Sequence, residues 1–183
     1  MPLIHECVVT TLTQDSKPHI APLGLIEDGE NWIIAPFRPS TTLTNLYSCN
    51  NVTASFTDNA LIFAKLVTGN CNIPLLPISS WPAPRLADAL AHAELEVIDI
   101  AEDDLRPRFI CKVRRIETYQ PFLGMNRARA AVLEAAILST RLNRLSREKI
   151  DQELAYLKIA IDKTAGPIEL EAWRLVLEKI NAT

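Results

Sequence analysis

The chain has 183 residues, 48% of them hydrophobic and 22% charged, and 19 Lys+Arg against 22 Asp+Glu leave a formal net charge of −3. A chain of this size and balance buries roughly 70% of its unfolded surface on folding, which excludes disorder as a description of the whole. Without a positive excess or a dense Lys/Arg block there is no electrostatic footprint for a polyphosphate backbone, so nucleic acid is not an expected partner.

The opening stretch MPLIHECVVTTLTQDSK has no basic segment followed by an apolar one, and no run of about 18 apolar residues occurs anywhere. The expectation is a cytoplasmic protein that neither crosses nor rests on a membrane. Cys7, Cys49, Cys71 and Cys111 form no CxxC pair, so they read as reduced, mostly buried thiols, with no metal site implied.

IHECVVTTL, PHIAPLGLIE and WIIAPF are short β-type runs separated by Gln14-Asp15-Ser16-Lys17 and by Asp28-Gly29-Glu30-Asn31. The Asp-Gly turn between two apolar runs is a hairpin signal, and the three runs read as antiparallel strands. TTLTNLYSC, following Arg38-Pro39-Ser40, fits a short helix, NVTASF a fourth strand, and DNALIFAKL a second short helix with Thr57 or Asp58 as its cap. The stretch GNCNIPLLPISSWPAPRLADAL holds four of the 12 prolines, Pro74, Pro77, Pro82 and Pro84, and reads as an irregular excursion with a helical tail. AHAELEVIDIAEDD and RPRFICKVRRIETYQ are two longer strands. About six strands with few long helices between them argue for an antiparallel barrel or sandwich.

Past Met125 the texture becomes helical. NRARAAVLEAAILSTRLNRLS has neither glycine nor proline, Ile150, Leu154, Leu157 and Ile161 recur at helical spacing, and so do Trp173, Val176, Leu177 and Ile180. Ser146 is placed to cap the second of three helices, and Gly166-Pro167 to end it and start the third. The fold class expected is mainly β with α: a barrel over residues 1–122, then a three-helix subdomain over 123–183.

The segment Ala35–Leu46 puts Arg38, Ser40, Thr41, Thr42, Thr44 and Asn45 where a strand ends and a helix begins. Hydroxyls, a forked guanidinium and uncapped backbone amides together outline a phosphate-sized anion site. The plainer alternative is that Ser40 only caps the helix and Arg38 is a solvated surface residue. Pro22 and Gly24 inside the second strand suggest an edge or a bulge, where unpaired backbone groups could meet a planar heterocycle or simply turn a barrel corner. His5, His19 and His92 are scattered and form no HxxxH, and neither a GxSxG elbow nor a phosphate-binding glycine loop is present. Glu102-Asp103-Asp104 reads as a solvated turn. Arg127, Glu134 and Arg141, seven residues apart, would share one stripe of the first long helix, facing solvent or a ligand groove.

VVTT, PHIAPLGL, APFRPSTTLTNL, FTDNALIFA and NRARAAVLEAAIL, in this order and spacing, resemble the DUF447 family of the flavin-reductase-like FMN-binding split-barrel superfamily. The resemblance covers nearly the whole chain and implies an antiparallel split β-barrel followed by C-terminal helices. It implies FMN as cofactor, its phosphate held by Ser40, Thr42 and Asn45 with Thr41 beside them and Arg38 as the cation. His19, Ala21, Pro22 and Leu23 would line the isoalloxazine edge, and Asn126 and Arg127 are further cofactor candidates. It also implies a homodimer with the flavin between subunits, and an oxidoreductase taking hydride from NAD(P)H for a small-molecule substrate. The competing functions are a flavin-binding or electron-carrier protein without turnover and a structural dimer whose flavin site has decayed.

Overall fold

β1 (Ile4–Leu12) and β2 (Pro18–Asp28) pair antiparallel in one unbroken register, from Ile4 opposite Ile26 to Leu12 opposite Pro18. In this computed structural model, which describes residues 2–182, β2 turns through Gly29 (φ 63°) into β3 (Asn31–Ile34). The chain continues through α1 (Thr41–Ser48), β4 (Asn51–Phe56), α2 (Ala60–Val67), β5 (Leu75–Ile78), β6 (Trp81–Leu86), β7 (Ala91–Ala101) and β8 (Arg108–Thr118). Three helices follow: α3 (Arg127–Ser139), α4 (Arg147–Thr164) and α5 (Pro167–Asn181). β1, β2, β3, β8, β7 and β4, in that order, close an antiparallel barrel, as the sequence predicts.

Period-2 alternation fills the barrel. Cys7 and Val9 of β1, Leu25 of β2, Val52 and Ala54 of β4, Leu95 of β7, and Phe109 and Cys111 of β8 meet inside with Leu43 and Leu46 of α1. Burial there pushes the Cys111 thiol up to about 12 and Cys7 further still, so both behave as inert apolar groups. All four cysteines are free, with Cys71 exposed.

The proline-rich stretch departs from expectation. β5 and β6 form a separate two-stranded hairpin, irregular between Leu76 and Ile78, and no helix follows. In a two-stranded sheet each strand has a free edge, so a proline whose missing N–H faces outward removes no ladder bond. Ala83, Leu86 and Ala89 are fully buried, and Leu86 N–H donates to Ser55 Oγ at 3.1 Å. Tertiary burial thus overrides the helical tendency of RLADAL.

By packing, the chain divides into two compact units, Met1–Thr57 with Pro74–Pro121 and Asp58–Ile73 with Phe122–Thr183. Residues 58–73, which a linear division at 122/123 leaves with the barrel, join the helices. Ala60 and Ala64 of α2, the alanine-lined face of α3, Ile150 and Ile161 of α4, and Ala172, Trp173, Val176 and Ile180 of α5 form one core. The cap of α2 is neither Thr57 nor Asp58: Asn59 accepts from Leu61 N–H at 3.1 Å. Asp58 instead joins Glu169 in pairing with Arg129. Ser146 and Gly166 cap α4 and α5 as the sequence predicts. α3 ends at Ser139, earlier than its Ala/Leu pattern suggests, and Arg141 therefore leaves the stripe of Arg127 and Glu134. Ser139 Oγ and Thr140 Oγ1 donate back to the Ala136 and Ile137 carbonyls, each at 2.7 Å, competing with continued helix. Among the described residues no helix is long and apolar enough to cross a membrane, and no cluster of three metal-ligating side chains occurs.

Candidate functional site

The chain leaves β3 through a cis Arg38–Pro39 peptide and enters α1 at Ser40. Ser40 is extended (φ −158°, ψ 151°), and its Oγ accepts from Leu43 N–H at 3.3 Å while its carbonyl accepts from Thr44 N–H at 3.2 Å. Those bonds leave the amides of Thr41 and Thr42 at the helix start with no intrahelical acceptor within reach. Thr41 is exposed beside them and Thr42 is buried. The first turn has no acidic residue to occupy its positive end.

Asn45, on the next turn, is buried and aimed into the barrel. Its Nδ2 donates to Thr11 Oγ1 at 3.0 Å, and Thr11 Oγ1 donates to the His19 carbonyl at 3.5 Å. This chain ties α1 to β1 and β2 and brings Ser40, Thr41, Thr42, Asn45 and His19 into one neighbourhood. His19, Ala21 and Leu23 lie on the face of β2 that looks into the barrel with Leu25, and all three are half-buried. Burial holds the His19 imidazole below its ordinary pKa, so it is neutral at pH 7.

Pro22 lies on the opposite face, and its presence inside a strand has a specific reason. Glu27 N–H donates to the Leu3 carbonyl at 3.0 Å, extending the β1–β2 register and making odd-numbered β2 residues the hydrogen-bonded partners of β1. The backbone groups of Ile20, Pro22 and Gly24 therefore point away from β1. β3 pairs only with Leu25–Asp28, so on that side Pro18–Gly24 is an open edge with no strand partner among the described residues. Pro22 sacrifices no ladder bond there. Of the two sequence readings, edge or bulge, the unbroken register leaves the edge. A Cβ at Gly24 would stand 2.7 Å from Ile4 Cγ2, so a larger residue there forces the exposed Ile4 side chain to shift.

Arg38 is placed differently from expectation. Its guanidinium runs along α1 to the helix's seventh residue, where Nη2 donates to Tyr47 Oη and to Glu102 Oε2, both at 2.8 Å, while Nε donates to the Asp103 carbonyl at 3.2 Å. It is a surface residue, its side chain 38% exposed, whose charge is engaged at the far end of α1 and not at the helix start. Glu102, Tyr47 and Arg106 are the neighbours that sequence reasoning missed. Arg106 donates twice to the Ala35 carbonyl, at 3.0 and 2.7 Å, and covers the Phe37 ring at 4.3 Å. The Asp103 carboxyl is held below its ordinary pKa by the Arg106 and Leu105 amides. The acidic turn therefore organises the approach to α1, a role that no local sequence signal announces.

Asn126 and Arg127 belong to the helical unit. Asn126 caps α3, its Oδ1 accepting from Ala128 and Arg129 N–H at 2.8 and 3.1 Å and its Nδ2 donating to the Thr164 carbonyl at 3.1 Å. Arg127 is exposed and lines, with Glu134 and Tyr156, a groove of about 270 Å³ between α3 and α4.

The architecture is shared with solved structures. An FMN-bound DUF447 protein from Methanosarcina mazei aligns over 98% of this chain and 96% of its own, at TM-score 0.83 and 20% identity. An NADH:FAD oxidoreductase from Streptomyces globisporus covers 64% of this chain and 72% of its own, at TM-score 0.53 and 14% identity. The flavin reductase of styrene monooxygenase from Pseudomonas putida covers 64% of this chain and 82% of its own, at TM-score 0.54 and 15% identity. At these identities the likeness establishes a flavin-reductase-like fold. No curated protein matches by sequence. Residues 5–120 match the N-terminal domain, and residues 126–178 the second part, of the protein family of unknown function DUF447; the chain belongs to that family.

Proposed function

We propose that the protein binds FMN at α1 and the open edge of β2 and works as an oxidoreductase with NAD(P)H as hydride donor and a small molecule as acceptor. The observation that carries this reading is the α1 start. Two amides without intrahelical acceptors, the hydroxyls of Ser40 and Thr41, and a first turn free of carboxylates suit a phosphate dianion. The FMN-bound and flavin-reducing proteins that share the fold support it.

A bound flavin supplies the hydride chemistry in its ring system. The chain's own part is to hold and orient. Thr41 and Thr42 amides with Ser40 would grip the phosphate, while Asn45, its amide already engaged by Thr11, positions β1 and β2 beneath α1. The outward carbonyls and N–H groups of Ile20–Gly24 offer hydrogen bonds to a planar heterocycle, with Pro22 contributing an acceptor only. His19, held neutral, adds polarity without charge. Arg38 would assist the phosphate only by leaving Glu102 and Tyr47. The proposal extends to a homodimer with FMN between subunits, as the resemblance to split-barrel flavoproteins implies.

Titration with FMN and with riboflavin tests the reading without altering the protein. One charge-assisted phosphate contact corresponds to about 10- to 100-fold in affinity, so FMN should bind at least tenfold more tightly than riboflavin. Equal affinities would move the phosphate away from α1, and failure to take up either ligand would end the flavin reading. Steady-state NAD(P)H oxidation by the FMN-loaded protein tests turnover, and uptake without oxidation would assign it as a carrier.

A further inference from the structure

On the outer wall of the barrel, beneath the β5–β6 hairpin, lies a polar layer that the flavin reading does not use. Thr10 of β1, Thr53 of β4 and Glu94 of β7 stand opposite one another, and in the adjacent row Ser55 faces His92, which faces Glu117 of β8. Thr10, Thr53, Ser55 and His92 are fully buried and Glu94 is 7% exposed. Thr53 Oγ1 donates to the Ala83 carbonyl at 2.6 Å, and Ser55 Oγ accepts from Leu86, so the hairpin seals the layer. His92 Nε2 and Glu94 Oε1 nevertheless have no hydrogen-bond partner within ordinary reach, and they stand 3.5 Å apart.

We propose that His92 and Glu94 form a buried acid–base site holding one shared proton, with Tyr119 as its contact to solvent. Among the described residues Glu94 has no ion-pair partner other than His92. Arg115 stands opposite Glu94 on β8 but its guanidinium pairs with Glu117 at 2.9 Å, so the buried Glu94 carboxyl has no cation in contact besides the His92 ring, a situation that favours sharing a proton with that ring. Tyr119 fixes the other side of the ring. Its Oη is 3.0 Å from Nδ1 and the two rings stack at 5.6 Å. Burial raises the Tyr119 phenol above its ordinary pKa, so it keeps its proton at neutral pH. With Nδ1–H donating to Tyr119 Oη, a single proton lies between Nε2 and Oε1, either as imidazolium with carboxylate or as imidazole with carboxylic acid; both are neutral overall. Moving that proton between the two atoms leaves the charge of the layer unchanged.

The surrounding groups are consistent with one proton rather than two or none. Burial works to lower the His92 pKa, and the Arg85 guanidinium of β6, 3.7 Å over the Tyr119 ring, opposes a second positive charge. Glu94 and Glu117 oppose loss of the proton, Glu117 being paired with Arg115 at 2.9 Å. β1 and β4 contribute only neutral Val8, Thr10, Thr53 and Ser55. Tyr119 is 38% exposed and its N–H donates to the Leu90 carbonyl at 2.7 Å, so the site's link to solvent is anchored at the end of β8.

The test is a ¹⁵N and ¹³C NMR titration of the His92 ring in the wild type and in Glu94→Gln, which keeps the shape and removes the charge. The wild type at pH 7 should show a protonated Nδ1 and an Nε2 signal between its bare and protonated limits. In E94Q the His92 midpoint should fall by at least about one pH unit. Equal midpoints in the two proteins, or a wild-type ring with bare Nδ1, would overturn the proposal. Should E94Q not fold, Tyr119→Phe replaces it: the protonated-Nδ1 signature should weaken, and its persistence unchanged would count against the assignment. Zinc chloride added to the wild type should leave the His92 signals in place, and a saturable shift would assign the pair to a metal instead.

Discussion

Asn45 permits a worked test of how α1 is fastened to the barrel. Asn45→Ala removes the bond to Thr11 Oγ1, worth about 0.5–1.5 kcal/mol net, and leaves the buried Thr11 hydroxyl without its donor, a further penalty of about 1–3 kcal/mol. Thr11 keeps its own bond to the His19 carbonyl, so the lower half of that penalty applies and the total is about 2 kcal/mol. For a chain of this length about 2 kcal/mol lowers the Tm by roughly 4–8 °C. Thr11→Val should cost a similar amount because it strands Asn45 Nδ2. The double variant removes both partners and should be less destabilised than the sum of the singles by about 1 kcal/mol or more. Thermal unfolding followed by circular dichroism measures all four corners of the cycle. Strict additivity would refute the pairing, and an N45A protein with unchanged Tm would refute the burial argument beneath it.

Glu102→Gln should release Arg38 and raise FMN affinity by up to about fivefold, the scale of an exposed ion pair; a lower affinity in a fluorescence titration would show that Glu102 serves the site instead of restraining it. Gly24→Ala should cost about 1 kcal/mol in chemical denaturation through its clash with Ile4, and Ile4→Ala should recover most of it. In the helical unit, Arg129→Met strips Asp58 and Glu169 of their shared cation and should cost about 1–3 kcal/mol at pH 7. Burial works to raise the Glu169 pKa, but Arg129 and the Gly166 and Glu169 amides outweigh it and hold the carboxyl below its ordinary value. Its contribution is therefore complete above the unfolded carboxylate pKa and is lost as pH falls through the lower folded value, so R129M should shift acid unfolding to higher pH. Light scattering on the FMN-loaded protein should give twice the chain mass, and a monomer that retains FMN would rule out a flavin site that needs two copies.

Where local pattern and burial agree, the fold is legible in the sequence. β8 alternates through Phe109, Cys111 and Val113 because one face meets the barrel interior, and α4 and α5 repeat at helical spacing because one stripe meets their core. Agreement fails where a segment's surroundings outrank its own preference. Pro77, Pro82 and Pro84 argue against strands, yet two strands with free outer edges accommodate them. RLADAL has helical composition, yet Leu86 ends β6 with its N–H on Ser55 of β4 and Ala89 is fully buried in the turn that follows. Thr53 and Ser55 look like the solvent face of NVTASF but are buried, because the hairpin that covers them lies some thirty residues further along the chain.

The same contrast separates the readable from the unreadable parts of the candidate site. Ser40, Thr41, Thr42 and Asn45 are neighbours in sequence, and helix geometry alone sets them at one end and along one face of α1. Pro22 and Gly24 signal an edge through what they lack, an N–H and a side chain. Arg38 is the instructive exception: sequence places its Cα correctly, but four side-chain torsions separate that point from its charge. Glu102, 64 residues away, and Tyr47, on the far turn of α1, determine where the charge goes. A guanidinium engaged through Nε and Nη2 is a reserve of positive charge. On the proposed FMN reading, it becomes available to a phosphate only if the phosphate offers more than one carboxylate and one phenol, and that competition would make Glu102 a control on affinity.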